Sequence, residues 1–192
     1  MRSSRVLALV LALAAAAMLL PAPPAQAQAP PPPLRHSFVT VSAGVFVPEG
    51  ADLDDHDADE GFAGFLNLGV MLNPFVGVQT DLGFFETDGD SRLHVTAVPL
   101  AASLRFAVPI AFVEPYVLAG GGVYFTQTEL GNSDETSTEL AWHAAAGVNF
   151  SLGRFILGAE SRYVWLDATN PLGSSDLDID GLMIMGKFGV RF

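Results

Sequence analysis

The chain has 192 residues, no cysteine, and 21 acidic against 9 basic side chains, which gives a formal net charge of −12. This length favours a single domain. The absence of cysteine excludes disulfide scaffolds, thiolate metal sites and cysteine nucleophiles. An acidic chain without a cluster of Lys and Arg lacks the positive surface that neutralises phosphates, so nucleic acid is not an expected partner.

Residues 1–27 have the three parts of a secretory signal peptide. Arg2 and Arg5 precede an unbroken apolar run, Val6–Leu20, and Ala25-Gln26-Ala27 fits an A-x-A cleavage site. A membrane helix requires about 20 apolar residues, so a retained anchor is the less favoured alternative. Residues 28–36, which include four consecutive prolines, are expected to form an extended tether before the folded domain at 37–192.

Residues of the folded domain alternate between apolar and polar or small side chains, the period typical of strands. Eight such segments are predicted, at about 37–47, 61–72, 75–85, 92–106, 113–125, 138–150, 154–166 and 179–192. Pro99 lies inside the fourth segment. A closed barrel has no free edge for a proline, so Pro99 is expected at a β-bulge. The predicted fold is all-β: an eight-stranded antiparallel transmembrane β-barrel.

The connections between these segments alternate in length and differ in charge. Short connections lie at 73–74, 107–112 and 151–153, whereas mostly longer polar ones lie at 49–60, 86–91, 126–139 and 167–180. The second group holds 18 of the 21 acidic residues and no Lys or Arg. Outer-membrane barrels have short periplasmic turns and longer external loops, so the acidic connections are predicted to be external.

Aromatic residues are expected to form two girdles, one at each membrane interface. One set comprises Phe75, Phe106, Phe150, Phe155 and Phe192, and the other comprises Phe84, Tyr124, Trp142, Tyr163 and Trp165. The alternative is that these aromatics fill a soluble core. Alternation alone also fits a soluble ligand-binding barrel of the lipocalin or streptavidin kind. The alternating connections, the scarcity of charge within strands and the terminal Phe192 favour the membrane barrel.

Several motifs in chain order resemble the small outer-membrane β-barrel superfamily, of the OmpA transmembrane domain, OmpX and OmpW type. They are the strand–turn–strand pattern of Leu68–Gln79 around Asn73-Pro74, then Pro115–Gly122, Trp142–Phe150, Glu160–Tyr163 and the closing Gly189–Phe192. The resemblance spans 37–192 and implies a location in the bacterial outer membrane. It also implies that Phe192 is an assembly signal read by the insertion machinery.

A group of polar side chains is predicted at mid-depth in the barrel lumen: Gln79, Asp81, His143, Glu160, Arg162 and Lys187. Small barrels are filled by their inward side chains, and a charge in that interior needs a partner. The favoured interpretation is a hydrogen-bonded plug that holds the barrel together. A proton or solute path and a catalytic site are the alternatives.

Catalysis would need a nucleophile near a base. His143 could act as a general base oriented by Glu160, but Ala144 and Ala145 follow it, so no His-x-Ser arrangement occurs there. His36-Ser37 precedes the first strand. A non-enzymatic protein without a cofactor is therefore predicted, with a lipid-modifying enzyme as the third-ranked alternative.

The first acidic connection is a candidate site for divalent cations. Clustered carboxylates suit hard cations such as Ca²⁺ and Mg²⁺, and this segment places Asp54, Asp55, Asp57 and Asp59 close together. Glu60 stands where the EF-hand pattern needs glycine. A solvated acidic loop is the favoured interpretation, and weak binding of divalent cations is the alternative.

The predicted function is a structural or surface-interaction role through the acidic external connections of a monomeric barrel. The expected partners are outer-membrane lipids, the insertion machinery and divalent cations. An OmpW-like narrow conduit for small apolar solutes is the alternative function.

Overall fold

The structure, a computed structural model, describes residues 36–49, 60–89, 93–130, 133–168, 177–178 and 180–192. Nine strands account for nearly all of them: β1 (His36–Pro48), β2 (Gly61–Met71), β3 (Val76–Gly89), β4 (Leu93–Ala107), β5 (Val113–Leu130), β6 (Ser133–Leu152), β7 (Phe155–Ala168), β8 (Leu177–Asp178) and β9 (Gly181–Arg191). Within these ranges, no helix is long and apolar enough to cross a membrane.

Antiparallel pairing closes the sheet into a barrel. Consecutive strands pair from β1 to β7, and β9 pairs with both β7 and β1. The short β8 pairs Asp178 with Asp167, in the same register in which β9 pairs Gly181 with Val164. Strand β8 is therefore the upper continuation of β9. The predicted eight-stranded antiparallel barrel is confirmed.

The two faces of the barrel wall differ in polarity because side chains alternate along each strand. Of the described strand residues that face outward between the two rims, none is charged, and most are Val, Leu, Phe, Ala or Gly. The described Asp, Glu, Lys and Arg residues at mid-wall all face inward and are buried. This is the arrangement of a barrel whose outer wall contacts lipid.

The predicted aromatic girdles are present on the outer wall with one clear exception. Phe75, Phe106, Phe155 and Phe192 are exposed at the end with the short turns, and Trp142 is exposed near the other. Tyr124 instead points into the interior and is fully buried. It occupies the inward register of β5, so its assignment to the outer girdle was wrong. Tyr163 keeps the outward register of Trp165, but neighbouring side chains cover it, and its ring centroid lies 4.9 Å from that of Trp165.

Two strands extend well beyond their predicted ends. Strand β5 continues to Leu130 rather than 125, and β6 begins at Ser133 rather than 138. The predicted long connection at 126–139 is therefore mostly paired strand, with Leu130 opposite Ser133. Ser, Thr, Gln and Glu replace the apolar residues there, so the hydrophobic alternation that marks a strand disappears although backbone pairing continues.

The expectation of a β-bulge at Pro99 was also wrong. Leu100 pairs with Leu82 and Ala97 with Phe85, so the same number of residues lies between the pairs on β3 and β4. The ladder is interrupted at two positions without a change of register. On the other side, Pro99 pairs in register with Tyr124. The missing N–H of proline is accommodated by a local gap in one ladder.

At the short-turn end, turn residues connect the strands and hydrogen bonds join the first and last described strands. Asn73 Oδ1 accepts hydrogen bonds from the amides of Phe75 and Val76, both at 2.8 Å, which fixes the β2–β3 turn. Gly153 adopts a positive φ of 64° between β6 and β7. Ser37 and Phe192 exchange two backbone hydrogen bonds of 2.8 and 2.9 Å, so the last described residue seals the β1–β9 seam.

Candidate functional site: the polar network of the barrel interior

Asp81 of β3 joins the polar side chains of several neighbouring strands. Its Oδ1 accepts hydrogen bonds from Asn67 Nδ2 at 2.8 Å and Gln79 Nε2 at 2.7 Å. Its Oδ2 lies 3.1 Å from Arg162 Nη2, close enough for an ion pair. Asn67 Oδ1 in turn accepts hydrogen bonds from the hydroxyls of Thr40 and Ser42, each at 3.1 Å. A single carboxylate therefore links β1, β2, β3 and β7.

Glu160 of β7 binds two cations and a phenol. Its Oε2 accepts hydrogen bonds from Tyr116 Oη at 2.6 Å and Lys187 Nζ at 2.7 Å. Its Oε1 accepts a hydrogen bond from Arg162 Nε at 3.0 Å. Lys187 Nζ also donates to Tyr116 Oη at 3.0 Å. Arg162 contacts both Glu160 and Asp81, so the two carboxylates belong to one network.

Arg105 of β4 forms a third part of the network, nearer the short-turn end. Its guanidinium donates to Gln79 Oε1 at 3.1 Å and to Glu114 Oε1 at 3.0 Å. The guanidinium carbon lies 3.5 Å from the ring centroid of Tyr116 and 5.0 Å from that of Phe38. Stacking of this kind on aromatic faces suits arginine, whose planar cation is weakly hydrated. The interior thus pairs three buried cations with three buried carboxylates.

Glycines at lumen-facing positions let side chains from non-adjacent strands meet. Gly147 lies between Tyr116 and Glu160 in the strand register, and a Cβ there would come within 2.5 Å of the Tyr116 ring. Gly120 likewise lies between Ser103 and His143, whose side chains hydrogen-bond across it at 2.7 Å. The network depends on these gaps in the inner wall.

Apolar side chains fill the interior on both sides of the polar network. Toward the long-connection end lie Phe46, Phe65, Phe85, Tyr124, Val164, Leu166, Met183 and Met185, together with three alanines. Toward the short-turn end lie Phe38, Met71, Ala107, Tyr116, Leu118, Ala145 and Ile156. The largest fully buried side chains of the chain come from these two clusters and from the network. The charged middle is therefore enclosed by apolar packing.

The structure brings all six lumen residues selected from the sequence into the barrel interior, where each is buried: Gln79, Asp81, His143, Glu160, Arg162 and Lys187. It adds side chains that were not included in that cluster, namely Thr40, Ser42, Asn67, Ser103, Arg105, Glu114, Tyr116 and Asn149. Glu114 and Tyr116 share the inward parity of Leu118 on β5, and that parity is the signal that would have identified them.

The geometry around His143 differs from that of a hydrolytic triad. Ser103 Oγ lies 2.7 Å from His143 Nε2, and Asp81 Oδ2 lies 3.9 Å from the same nitrogen. A triad needs the carboxylate on the opposite ring nitrogen. Glu160, the expected orienting carboxylate, is instead bonded to Tyr116, Arg162 and Lys187.

The contacts described above do not involve the other predicted sites. Asp54, Asp55, Asp57 and Asp59, like the predicted signal peptide and tether up to residue 35, lie outside the described residues. Within the part of the chain that is described, no group of three or more acidic or histidine side chains is placed to hold a metal ion. Phe192 is exposed at the barrel rim, and its role in assembly stays a prediction.

Comparison with known proteins agrees with this architecture. The family described as the outer membrane protein beta-barrel domain matches residues 12–192. No curated protein sequence matches the chain. Neisserial surface protein A has a TM-score of 0.67 at 17% identity, over 81% of this chain and 97% of that one.

Two further solved structures have the same fold at low identity. Ail, the attachment invasion locus protein of Yersinia pestis, has a TM-score of 0.53 at 18% identity, covering 82% of this chain and 98% of that one. OprG from Pseudomonas aeruginosa has a TM-score of 0.51 at 18% identity, covering 82% and 93%. These structures support the fold, and the family match spans nearly the whole chain. The chain belongs to the outer membrane β-barrel family and is a protein of the bacterial outer membrane.

Proposed function

We propose that this protein is a closed, non-enzymatic scaffold that presents its extracellular strands and acidic connections at the cell surface. Short turns of outer-membrane barrels face the periplasm, so the extensions of β5 and β6 project outward from the cell. The observation that carries the proposal is the charge-balanced interior network, packed between two apolar clusters. An eight-stranded wall is just wide enough for its inward side chains to fill.

The energetics of the network support a closed barrel rather than a solute path. Opening an aqueous path would separate Glu160 from Lys187 and Arg162, or Glu114 from Arg105. Separating such a pair while either charge stays buried away from water typically costs about 3–5 kcal/mol. The paired arrangement should therefore dominate the population.

The wall and the surface charge indicate what the scaffold would contact. Every barrel strand is paired on both sides along the apolar band, and this supports a monomer surrounded by outer-membrane lipid. The Ail structure was solved with the heparin analogue sucrose octasulfate. The present chain carries 21 acidic against 9 basic residues, so it would repel such a polyanion. Divalent cations and cationic partners are the proposed contacts.

Solute uptake separates the scaffold from the alternative, an OmpW-like conduit for small apolar solutes. Liposomes containing the refolded protein should swell in isotonic arabinose no faster than protein-free liposomes. They should also take up a small fluorescent apolar solute at the protein-free rate. Glu86→Gln, at the half-exposed upper rim, is a control that should behave like the wild type. Saturable uptake that depends on the wild-type protein would reject the scaffold and establish the conduit.

A further inference from the structure

Arg154 is an exposed cation at the tip of one of the short turns. Strands β6 and β7 pair as far as Leu152 with Phe155, and Gly153 and Arg154 form the reversal between them. The Arg154 side chain is exposed, and its carbonyl oxygen accepts a hydrogen bond from the backbone N–H of Arg191 at 2.8 Å. Because short turns of outer-membrane barrels face the periplasm, Arg154 lies at the periplasmic rim.

Acidic side chains are scarce at this rim. The three short connections contain no Asp or Glu. Among the described residues at this end, the one acidic side chain is Glu114, which is buried 3.0 Å from the guanidinium of Arg105. Arg191 also lies here, and its guanidinium donates to the neutral hydroxyl of Ser151. The side-chain charge at the periplasmic rim is therefore positive, although the chain as a whole has a formal net charge of −12.

Large apolar side chains lie directly above Arg154 on the outer wall. Phe155 and Phe188 stack with their ring centroids 6.3 Å apart, and 48% and 55% of their surfaces are exposed. Leu152 pairs with Phe155 and Leu157 with Phe188, and both leucines are exposed as well. A cation just below exposed aromatic rings spans the boundary between lipid headgroups and hydrocarbon.

Small side chains occupy the next outward row toward the middle of the membrane. Ala159 pairs with Gly186, and Gly186 pairs with Ala43, so three neighbouring strands carry no large side chain at this level. All three residues are exposed, and a Cβ at Gly186 would meet no atom nearer than 4.0 Å. The row therefore forms a shallow furrow above the Phe155–Phe188 pair.

We propose that Arg154, the Phe155–Phe188 pair and this furrow bind an anionic phospholipid of the periplasmic leaflet. The planar guanidinium of Arg154 suits a phosphate group, to which it can donate two parallel hydrogen bonds. The acyl chains would pack on the two rings and along the furrow. A zwitterionic headgroup gains less, because its own cation is repelled by the arginine. Such a site adds lipid recognition to the proposed surface role and does not depend on a closed interior.

Charge also argues against a second copy of this chain as the occupant. Two copies that meet through the same patch are related by a two-fold axis, so each residue near the axis faces its counterpart. The two Arg154 side chains would then lie close together at the edge of an apolar contact, where like charges repel. A negatively charged lipid instead complements both the arginine and the apolar patch.

Phe155 and Phe106 provide matched positions for a fluorescent reporter. Both are outward-facing phenylalanines near the short-turn end, and each has 48% of its surface exposed. The connection next to Phe106, at 107–112, contains no charged residue. The reporters are Phe155→Trp and Phe106→Trp, introduced one at a time. Each full chain also carries Trp142→Phe and Trp165→Phe, which remove the two natural tryptophans.

The probe is phosphatidylglycerol with brominated acyl chains, as a minor component of phosphatidylcholine vesicles that contain the refolded protein. Relative to its share of the lipid, it should quench the Phe155→Trp reporter roughly fivefold more strongly than brominated phosphatidylcholine does. This preference corresponds to about 1 kcal/mol for one arginine at an anionic lipid surface. The two brominated lipids should quench the Phe106→Trp reporter equally. Adding Arg154→Gln should remove the preference at the first reporter.

Three results would overturn the proposal: no preference at the Phe155→Trp reporter, the same preference at both reporters, or an unchanged preference after Arg154→Gln. The second result would show that the whole rim attracts anionic lipid without a defined site. The mobility shift on unheated gels verifies that each variant is folded. If Arg154→Gln fails to fold, the comparison of the two reporters in chains that keep Arg154 still decides the outcome.

Discussion

Glu160 makes contacts that no neutral residue could replace without loss. Its carboxylate accepts hydrogen bonds from Tyr116 and Lys187 on one oxygen and from Arg162 on the other, all within 3.0 Å. These donors come from β5, β7 and β9, so one side chain connects three strands across the interior. Because all four groups are buried, solvent cannot substitute for a missing partner.

Replacing Glu160 with glutamine should therefore lower the free energy of unfolding by about 3–5 kcal/mol, since Lys187 loses its carboxylate partner in a buried site. Urea unfolding in detergent micelles, followed by the mobility shift of folded barrels on unheated gels, measures the change. The additional change Lys187→Met should recover part of the loss. Glu86→Gln at the upper rim should stay within about 0.5 kcal/mol of the wild type. A loss of less than 1 kcal/mol for Glu160→Gln would contradict this account.

Glycine at position 147 is required by the contact between Tyr116 and Glu160. A Cβ at Gly147 would lie 2.5 Å from Tyr116 Cζ and 2.7 Å from the carbonyl oxygen of Ala159. Gly147→Ala should destabilise the barrel by about 1–3 kcal/mol, the usual cost of overpacking. Gly186→Ala is the matched control. Its nearest neighbour would be the Ala43 carbonyl at 4.0 Å, so its stability should be unchanged or slightly raised. Equal melting temperatures for the two variants would contradict the explanation.

Side-chain parity predicted which charged residues face inward, but not which of them touch. Asp81, Glu160, Arg162 and Lys187 were identifiable because charge on the outer face would contact lipid. Their partners depend on strand register and on glycines such as Gly120 and Gly147, which remove the side chain between two others. Register is a property of paired strands, and a single sequence read along its length does not contain it. The Tyr116–Glu160 and Ser103–His143 contacts were therefore beyond sequence reasoning.

The number and direction of the strands were predictable from the sequence, whereas the full lengths of β5 and β6 were not. Within the membrane, alternating apolar residues are required on the outer wall, so each crossing leaves a periodic pattern. Above the membrane, the residues of β5 and β6 are mostly Ser, Thr, Gln and Glu, and the apolar pattern ends. Backbone pairing continues nevertheless, up to Leu130 and Ser133. The extensions of β5 and β6 were invisible in the sequence because backbone pairing continues there without the apolar alternation that marks a strand.

The acidic connection between β1 and β2 carries a separate prediction. Asp54, Asp55, Asp57 and Asp59 are close in sequence, and their mutual repulsion would be relieved by a hard divalent cation. We expect weak Ca²⁺ binding, with a dissociation constant of about 10⁻⁴ to 10⁻³ M, the range of extracellular calcium modules. Isothermal titration calorimetry should detect it in the wild type and not in a variant with all four replaced by serine. Indistinguishable heats would show that the connection is only a solvated acidic segment.

The molecule as a whole combines an apolar outer wall, a charge-balanced interior and an acidic extracellular surface. Of its described charged residues, three cations and three carboxylates are buried in the interior and neutralise one another. The excess negative charge lies mainly in the connections at the extracellular end. In the proposed function, the interior network keeps the barrel closed, while the extracellular strands and acidic connections contact partners.

Single-channel recording in planar bilayers tests the closed interior most directly. Refolded wild-type protein, with folding verified by its mobility shift on gels, should give no sustained conductance steps in 1 M KCl, since the filled lumen leaves no ion path. Glu160→Ala should give brief, irregular openings, because Lys187 and Arg162 lose a common partner. Long-lived steps of reproducible size from the wild-type protein would contradict the account and show that the network lines a channel instead of closing one.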